Sequence, residues 1–592
     1  MKKRTLAVRA LLTVLPALLL LVSGCGGCRD GSTDSGPIDT DAGAADRYRD
    51  DLFDYAVANL DRLEEFSPGD VLPQIFQRRA GLLQQSAYRG DALMATCPEP
   101  AMLREIVNRL NQWVASQKPP ADWRRDGMVD ELPTLLRELP AVKELARLEY
   151  SPYDGFALRE AVWLRNVSAW ARGDSLDDVQ RARNLFDWTV RNIQLEHETG
   201  SRLPLLPWET LLFGRGTAAE RAWVFILLCR QQHLDAALLV RSGQADSMAA
   251  PWRSWGVVAV RSGEDFYLFD PALGLPVPAP GGIRLDTTGQ LDVQPATLAQ
   301  VVADPSLLHR LDVDQADPSA DLGPVVALLE ASPAYLAGRM KLIESKLPAE
   351  NEMVLTASPT LQAERWKATG QVADVRLWTL PLETLDFRSQ LSPVQIVQRL
   401  GMLLPFYAFE GAPLRKGRML YFSGEFAGAE GADGFYLRAR PSNRQLEEDG
   451  RKLAQENYRQ LRTTNSNLPE IQARQIAYEL AGIEMAARRQ AKRSASYWLG
   501  LSVFEECLRT AHLHAEADYT PAIQWFAERT LEASPDGPWT RGATYNLARA
   551  YEASKQYDRA IELYLSDPAA PDHRGNLLRA RWLKELLGDI AE

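Results

Sequence analysis

Cysteine and histidine are scarce in this chain of 592 residues, with five of one and six of the other. Cys25, Cys28, Cys97, Cys229 and Cys507 are too few and too scattered for a disulfide framework, so stability has to come from packing. Of His197, His233, His309, His512, His514 and His573, only the His512-x-His514 pair approaches metal-ligand spacing. That pair lies near Glu505, Glu506, Glu516 and Asp518, but residues two apart on a helix point away from each other, and neither a metal nor another cofactor is expected. A basic stripe is missing as well. The formal net charge is −11 and no Lys/Arg cluster forms a stripe beyond residue 4, which excludes DNA and RNA as main partners. Long apolar runs are also missing, since nothing after Val22 approaches the ~20 residues a membrane-spanning helix needs. What is present is ordinary globular material: 46% of the residues are apolar, and the length suits roughly three to five domains.

The first residues are an exception to that composition. Lys2, Lys3 and Arg4 precede an apolar stretch from Ala10 to Val22, interrupted by Thr13 and Pro16, and this reads as an export signal over residues 1–24. Its end, Leu21-Val22-Ser23-Gly24-Cys25, resembles the lipobox of bacterial lipoproteins. The resemblance implies cleavage after Gly24, a diacylglycerol on the Cys25 thiol and a membrane partner through that lipid; a transmembrane anchor or an unlipidated signal peptide are the alternatives. Gly26 stands where an aspartate would retain such proteins at the inner membrane, so an exported, envelope-anchored protein at the outer membrane is favoured. From Gly26 to about Ala45 the chain is Gly, Ser, Asp and Thr with almost no apolar residue; residues 25–46 cannot bury a core and form a tether.

Residues 47–174 are helical by pattern, with Leu103, Ile106, Val107, Leu110 and Val114 on one face. From Ser175 to Ile193 another amphipathic helix is expected, Ser175 and Asp178 resembling a capping box. After Gly200, Pro204 and Pro207, a second box, Thr217 with Glu220, opens a helix at about Ala218 that runs through Trp223, Phe225, Ile226 and Cys229. Strands follow, the first closing Asp235–Arg241, then Trp255–Val260, then Phe266–Phe269 ending on Asp270-Pro271.

This run resembles the transglutaminase-like family, a papain-type fold with a Gly-x-Gly-x-Cys helix start, a His-x-Trp strand and an Asp-Pro strand end, and it is assigned to residues 175–290. In such a site the helix dipole lowers the thiol pKa and a histidine completes the ion pair. Carried over residue by residue, the cysteine position is Ala218, the histidine position is Arg253 with Trp255 in place in the groove, and the aspartate position is Asp270. A methyl group cannot attack a carbonyl, and a guanidinium stays protonated and cannot act as base. Cys229 lies 11 residues down the same helix, about 16 Å away, and reads as a core thiol. Thr217 and Glu220 read as capping groups, and Arg253 as an ion-pair partner of Asp270 or a holder of a ligand carboxylate.

Residues 291–480 read as a mixed helical region with a β-hairpin near 418–440, its arms Arg418–Phe426 and Gly434–Arg440. Within residues 481–592, Gly542–Tyr564 resembles a tetratricopeptide unit, a two-helix repeat of about 34 residues. Ala548 and Ala560 take its small crossing positions, and Leu547, Tyr551 and Tyr564 its packing positions. A looser unit is suggested from Tyr497 to Phe526, and Gly575–Leu587 would cap the stack with Arg574, Arg579, Arg581 and Lys584 facing water. The resemblance places Tyr545, Arg549 and Glu552 in a groove that holds a peptide, bracing of the chain being the alternative.

The expectation is therefore a predominantly helical α+β protein with a degenerate transglutaminase-like core and a solenoid end, no catalytic residues, and a role in protein or peptide binding at the cell envelope. Its rivals are an active transglutaminase-like or cysteine-peptidase-like enzyme with a relocated nucleophile, and a structural subunit of an envelope complex. Oligomeric state is not legible.

Overall fold

The computed structural model describes residues 51–65, 75, 82, 91–198, 202–242, 256–313, 323–464, 466–513 and 517–591. The signal, Cys25, the tether, Arg253, Trp255 and His514 lie outside the described residues. Helix accounts for 61% of the structure and strand for 10%, so the α+β architecture is predominantly helical.

The amino-terminal helices include α1 (Ala101–Val114), whose buried Leu103, Ile106, Val107, Leu110 and Val114 are the residues of the expected face, and α2 (Pro152–Ala171), opened by a Ser151/Asp154 capping box. Next comes α3 (Asp178–Asn192), capped by the Asp177 carboxylate receiving the Gln180 N–H at 2.7 Å. Ser175 instead accepts the Asp177 N–H, so the cap begins two residues later than its Ser-x-x-Asp spelling predicts. Then follow α4 (Pro207–Phe213), ended by Gly214 in the left-handed conformation, and α5 (Ala218–Gln231).

One six-stranded sheet sits against α5. It is formed by β1 (Ala236–Arg241), β2 (Gly256–Ser262), β3 (Asp265–Asp270), β4 (Leu275–Pro276), β7 (Val325–Glu330) and β8 (Asp374–Trp378), in the order β8-β7-β1-β2-β3-β4. Between β4 and β7 a separate hairpin pairs β5 (Pro278–Leu285) with β6 (Leu291–Pro295). Within the six-stranded sheet β7 and β8 pair parallel and the other neighbours antiparallel, and a separate short parallel pair joins Gln194–Leu195 to Arg215–Gly216. Every residue of β7 is buried, as for a central strand covered on both faces. Phe186 of α3, Phe225 of α5 and Phe269 of β3 meet with ring centroids 5.1–5.4 Å apart, which fixes both helices on the sheet. The sheet takes two strands from beyond residue 290, so the core is not complete at the expected boundary.

The expected hairpin at 418–440 is not formed. Its arms are helices, α7 (Pro413–Phe422), preceded by α6 (Pro393–Tyr407), and α8 (Ala432–Arg438). Aromatic residues suggested strands, but Leu414, Gly417, Arg418, Tyr421 and Phe422 bury at helical spacing, and Pro413 is tolerated at the first helical turn. Gly417 lets the two helices touch: a Cβ there would stand 2.7 Å from the Tyr436 ring.

Two long helices follow, α9 (Asn443–Thr464) and α10 (Glu470–Leu513), the second of which runs through the expected boundary at 480. After α11 (Thr520–Phe526) and a π-helical stretch, Ala527–Glu532, the chain ends in α12 (Thr540–Ala553), α13 (Tyr557–Leu565) and α14 (His573–Ala591), which pack in succession. Ala548 and Ala560 are fully buried between them.

One large apolar cluster extends from Leu52 to Leu583, and a second, smaller one joins Leu461, Leu468, Ala473, Ile476 and Ala477. Ion pairs cross the larger one between distant segments. Asp154 holds Arg339 at 2.8 Å, Glu505 holds Arg191 at 2.9 Å, and Glu209 lies between Arg388 and Arg399, all nearly free of solvent. Breaking such a pair strands a buried charge, at a cost of about 3–5 kcal/mol.

Candidate functional site

The amino-terminal end of α5 carries Ala218, 7% exposed. The two polar side chains beside it are committed to the helix cap: Thr217 Oγ1 accepts the Glu220 N–H at 3.3 Å, and Glu220 accepts the Thr217 N–H at 2.9 Å. Glu220 also receives two bonds of 2.7 Å from the Arg202 guanidinium and one of 2.6 Å from the Leu205 N–H. Its carboxylate is thus fully occupied as an acceptor, consistent with the capping role expected of it. Cys229 is wholly enclosed, and burial pushes its thiol pKa well up, away from the thiolate a nucleophile requires.

One turn along α5, Arg221 is buried and donates to two carbonyls, Pro271 at 3.0 Å and Ile193 at 2.5 Å. This ties the helix start to the end of β3, where Asp270 stands. Asp270 Oδ1 accepts the Ala272 and Leu273 N–H groups at 2.8 and 2.9 Å, a turn that closes the strand. Burial pushes its carboxyl up to about 6 against the pull of these N–H groups, of Arg574 and of Arg221. The positive charges that act on Asp270 among the described residues therefore come from α5 and α14. Among the described residues no histidine hydrogen-bonds to Thr217, Glu220 or Asp270; His197 meets the Ala569 carbonyl at 3.1 Å and His309 meets Asp312 at 2.9 Å.

The carboxyl-terminal helices close over this region. Gly575 at the start of α14 is pressed on the loop after Asp270, and a Cβ there would collide with the Leu273 carbonyl oxygen. Gln194 bridges the same seam, accepting from the Gly542 N–H at 2.8 Å and donating to the Pro538 carbonyl at 3.1 Å.

Tyr545, Arg549 and Glu552 do not face an open groove. All three are buried. Arg549 donates to Asp187 of α3 at 2.8 Å and to the Tyr545 hydroxyl at 3.3 Å. Glu552 accepts from the Leu291 N–H of β6 at 2.8 Å, from Arg579 at 3.1 Å and from the Tyr564 hydroxyl at 2.7 Å. Burial alone would raise its pKa, but Arg579 and Arg549 hold the carboxyl below the usual glutamate value. The side chains expected to take a peptide instead take α3 and the β5–β6 hairpin. Arg579, expected to face water, is 5% exposed because it answers the buried Glu552 charge.

A sizeable opening lies elsewhere. A cleft of about 670 Å³ runs between α9, α10, the π-helical stretch and the start of α12, lined by Arg440, Arg489, Lys492, Arg493, Arg529 and Trp539, among others. The legible signal for it is the i, i+3, i+4 spacing of Arg489, Lys492 and Arg493, which shares one helix face. Arg440 and Arg529 are distant in sequence and carry no such signal. Among the described residues no group of three or more His, Cys, Asp and Glu side chains is placed to hold a metal ion. No protein-family model, curated protein or solved structure matches the chain.

Proposed function

We propose that this chain is a non-catalytic, lipid-tethered protein of the bacterial envelope that acts by binding a protein or peptide. On this reading its transglutaminase-like core is a frame for the tetratricopeptide-like carboxyl-terminal helices. The observation that carries the reading is Ala218, a methyl group at the helix terminus where the family resemblance expects the nucleophile. The groups around it support the same conclusion, since Thr217 and Glu220 are consumed by the cap and the neighbouring loop is covered by α14. The tether rests on the lipobox ending at Cys25.

The test is a transamidation and deamidation assay of the full chain with a glutamine-bearing peptide and a primary amine. The expected outcome is no ammonia release above buffer; turnover abolished by replacing a Cys or Ser would establish an enzyme and overturn the reading. For the tether, incorporation of labelled palmitate should disappear in Cys25→Ala, and persistence of label would remove the anchor. A second reading, a structural subunit of an envelope complex, is favoured by the inward commitment of Tyr545, Arg549 and Glu552. It expects fixed-stoichiometry co-purification with one abundant partner.

A further inference from the structure

The cleft between α9, α10 and α12 gathers more cations than carboxylates. Several interior arginines are matched by carboxylates, as in Arg191–Glu505, Arg339–Asp154 and Arg579–Glu552, while Arg221 and Arg418 donate to backbone carbonyls. In the cleft, five cations, Arg440, Arg489, Lys492, Arg493 and Arg529, face two carboxylates, Glu447 and Glu528. The difference, five minus two, leaves three positive charges. None of the five forms an ion pair with any described residue. Arg440 donates to the Ser496 hydroxyl at 2.8 Å and lies over the Trp525 ring at 4.5 Å, and Lys492 donates to the Asn443 side-chain oxygen at 2.8 Å. Glu447 lies 3.9 Å from Arg451 instead.

The electrostatic consequence is visible in the cations themselves. Partial burial and the neighbouring Arg529 pull the Arg440 pKa down, and partial burial with Arg440 does the same to Lys492. Like charges crowded without counter-charges raise the free energy of the empty cleft, and an anion would relieve it. Two helices add to the same field, because Asn443 and Thr540, which begin α9 and α12, both line the cleft. One wall is the π-helical stretch, which supplies Glu528, Arg529 and Thr530. Such insertions recur at functional sites because they turn side chains out of regular helical register.

Size and lining narrow the ligand. A volume of about 670 Å³ lies within the range of small-molecule sites and is too small for a folded partner. Apolar surface from Leu446, Met485 and Trp539 accompanies the cations, so part of the ligand is not charged. Guanidinium forks on three sides suit tetrahedral oxyanions that accept several donors at once.

We propose that this cleft binds a small phosphate-bearing polyanion of about three negative charges, held by Arg489, Arg493 and Arg529 with Arg440 and Lys492 at its base. The same chemistry is offered by a free di- or triphosphate compound and by a phosphorylated lipid headgroup. The proposal does not depend on the fate of the Ala218 helix terminus.

The probe is inorganic tripolyphosphate, titrated calorimetrically into the full chain at low and high salt. Saturable one-to-one binding that weakens as salt rises is expected, with affinity falling tenfold or more in Arg489→Gln/Arg493→Gln. Both residues are exposed and make no ion pair, so the variant retains the fold, which circular dichroism checks. The control is Arg62→Gln/Arg474→Gln, two exposed arginines outside the cleft and the same loss of charge, expected to bind as the parent does. No heat at millimolar tripolyphosphate, or equal loss in the control, would overturn the site. Sedimentation with vesicles of phosphatidylcholine containing phosphatidic acid then separates the sources. Retention that is lost with Arg489 and Arg493 and competed by tripolyphosphate assigns a lipid headgroup, and tripolyphosphate binding without retention assigns a soluble ligand.

Discussion

Glu160 sits on α2 and accepts the Trp208 N–H at 3.0 Å, beside a small cavity lined by Met94, Cys97, Phe156, Trp208 and Tyr335. Burial in these apolar surroundings raises its carboxyl pKa to about 8, so the folded protein holds a proton there at neutral pH. The unfolded chain releases that proton above the ordinary value of 4.5. Stability from this group is therefore complete below 4.5 and is lost as pH rises through about 8. Glu160→Gln keeps an acceptor for Trp208 without the ionisation. The variant should be more stable than the parent at pH 8, by about 2 kcal/mol or more, and nearly equal to it at pH 4.5. Urea midpoints at the two pH values measure this, and equal midpoints at pH 8 would remove Glu160 from the account. Sequence alone shows a glutamate among apolar residues on α2; that Trp208, Tyr335 and Met94 surround it requires three other segments.

At the scale of elements, the seam between α14 and the loop after β3 depends on one residue without a side chain. Gly575→Ala places a methyl against the Leu273 carbonyl, and in a backbone contact of that kind no rotamer can relieve the clash. We expect loss of about 2 kcal/mol or more of stability and faster limited proteolysis between Leu565 and His573, the connection of α13 to α14. Unchanged proteolysis would mean that α14 is not seated there. Element identity was legible where local chemistry speaks: the Thr217/Glu220 box opens α5, and α1, α3 and β1 to β3 lie close to their expected places. It failed at 418–440, where Tyr421, Phe422, Phe435 and Tyr436 suit strands by type while their burial follows a helix. Aromatic preference for strands is a preference for packed surfaces, and two crossing helices supply one equally well.

For the molecule as a whole, the carboxyl-terminal helices are not a separate body. Asn546 of α12 donates to the Arg191 carbonyl of α3 at 3.0 Å, and Arg191 is held in turn by Glu505 of α10. The large apolar cluster is continuous across these contacts. Residues 51–591 should therefore unfold in one cooperative transition by calorimetry, and Glu505→Gln should lower its midpoint without splitting it. A second resolved transition would show that the helical end is an independent domain. The acidic net charge and the basic cleft coexist because net charge sums over the chain while a ligand senses its nearest ~10 Å.

Sequence by itself determined the Thr217/Glu220 cap of α5, the periodicity of the main elements, the predominantly helical α+β class and the methyl group at Ala218. These depend on residues within a turn or two of one another, where propensity, capping and spacing act directly. Only the tertiary structure decided that Arg549 and Glu552 turn inward, that α14 covers the loop after Asp270, and that Arg440 and Arg529 join Arg489, Lys492 and Arg493 around one cleft. Burial and charge pairing depend on what lies opposite in space, and the partner of Arg191 is 314 residues away.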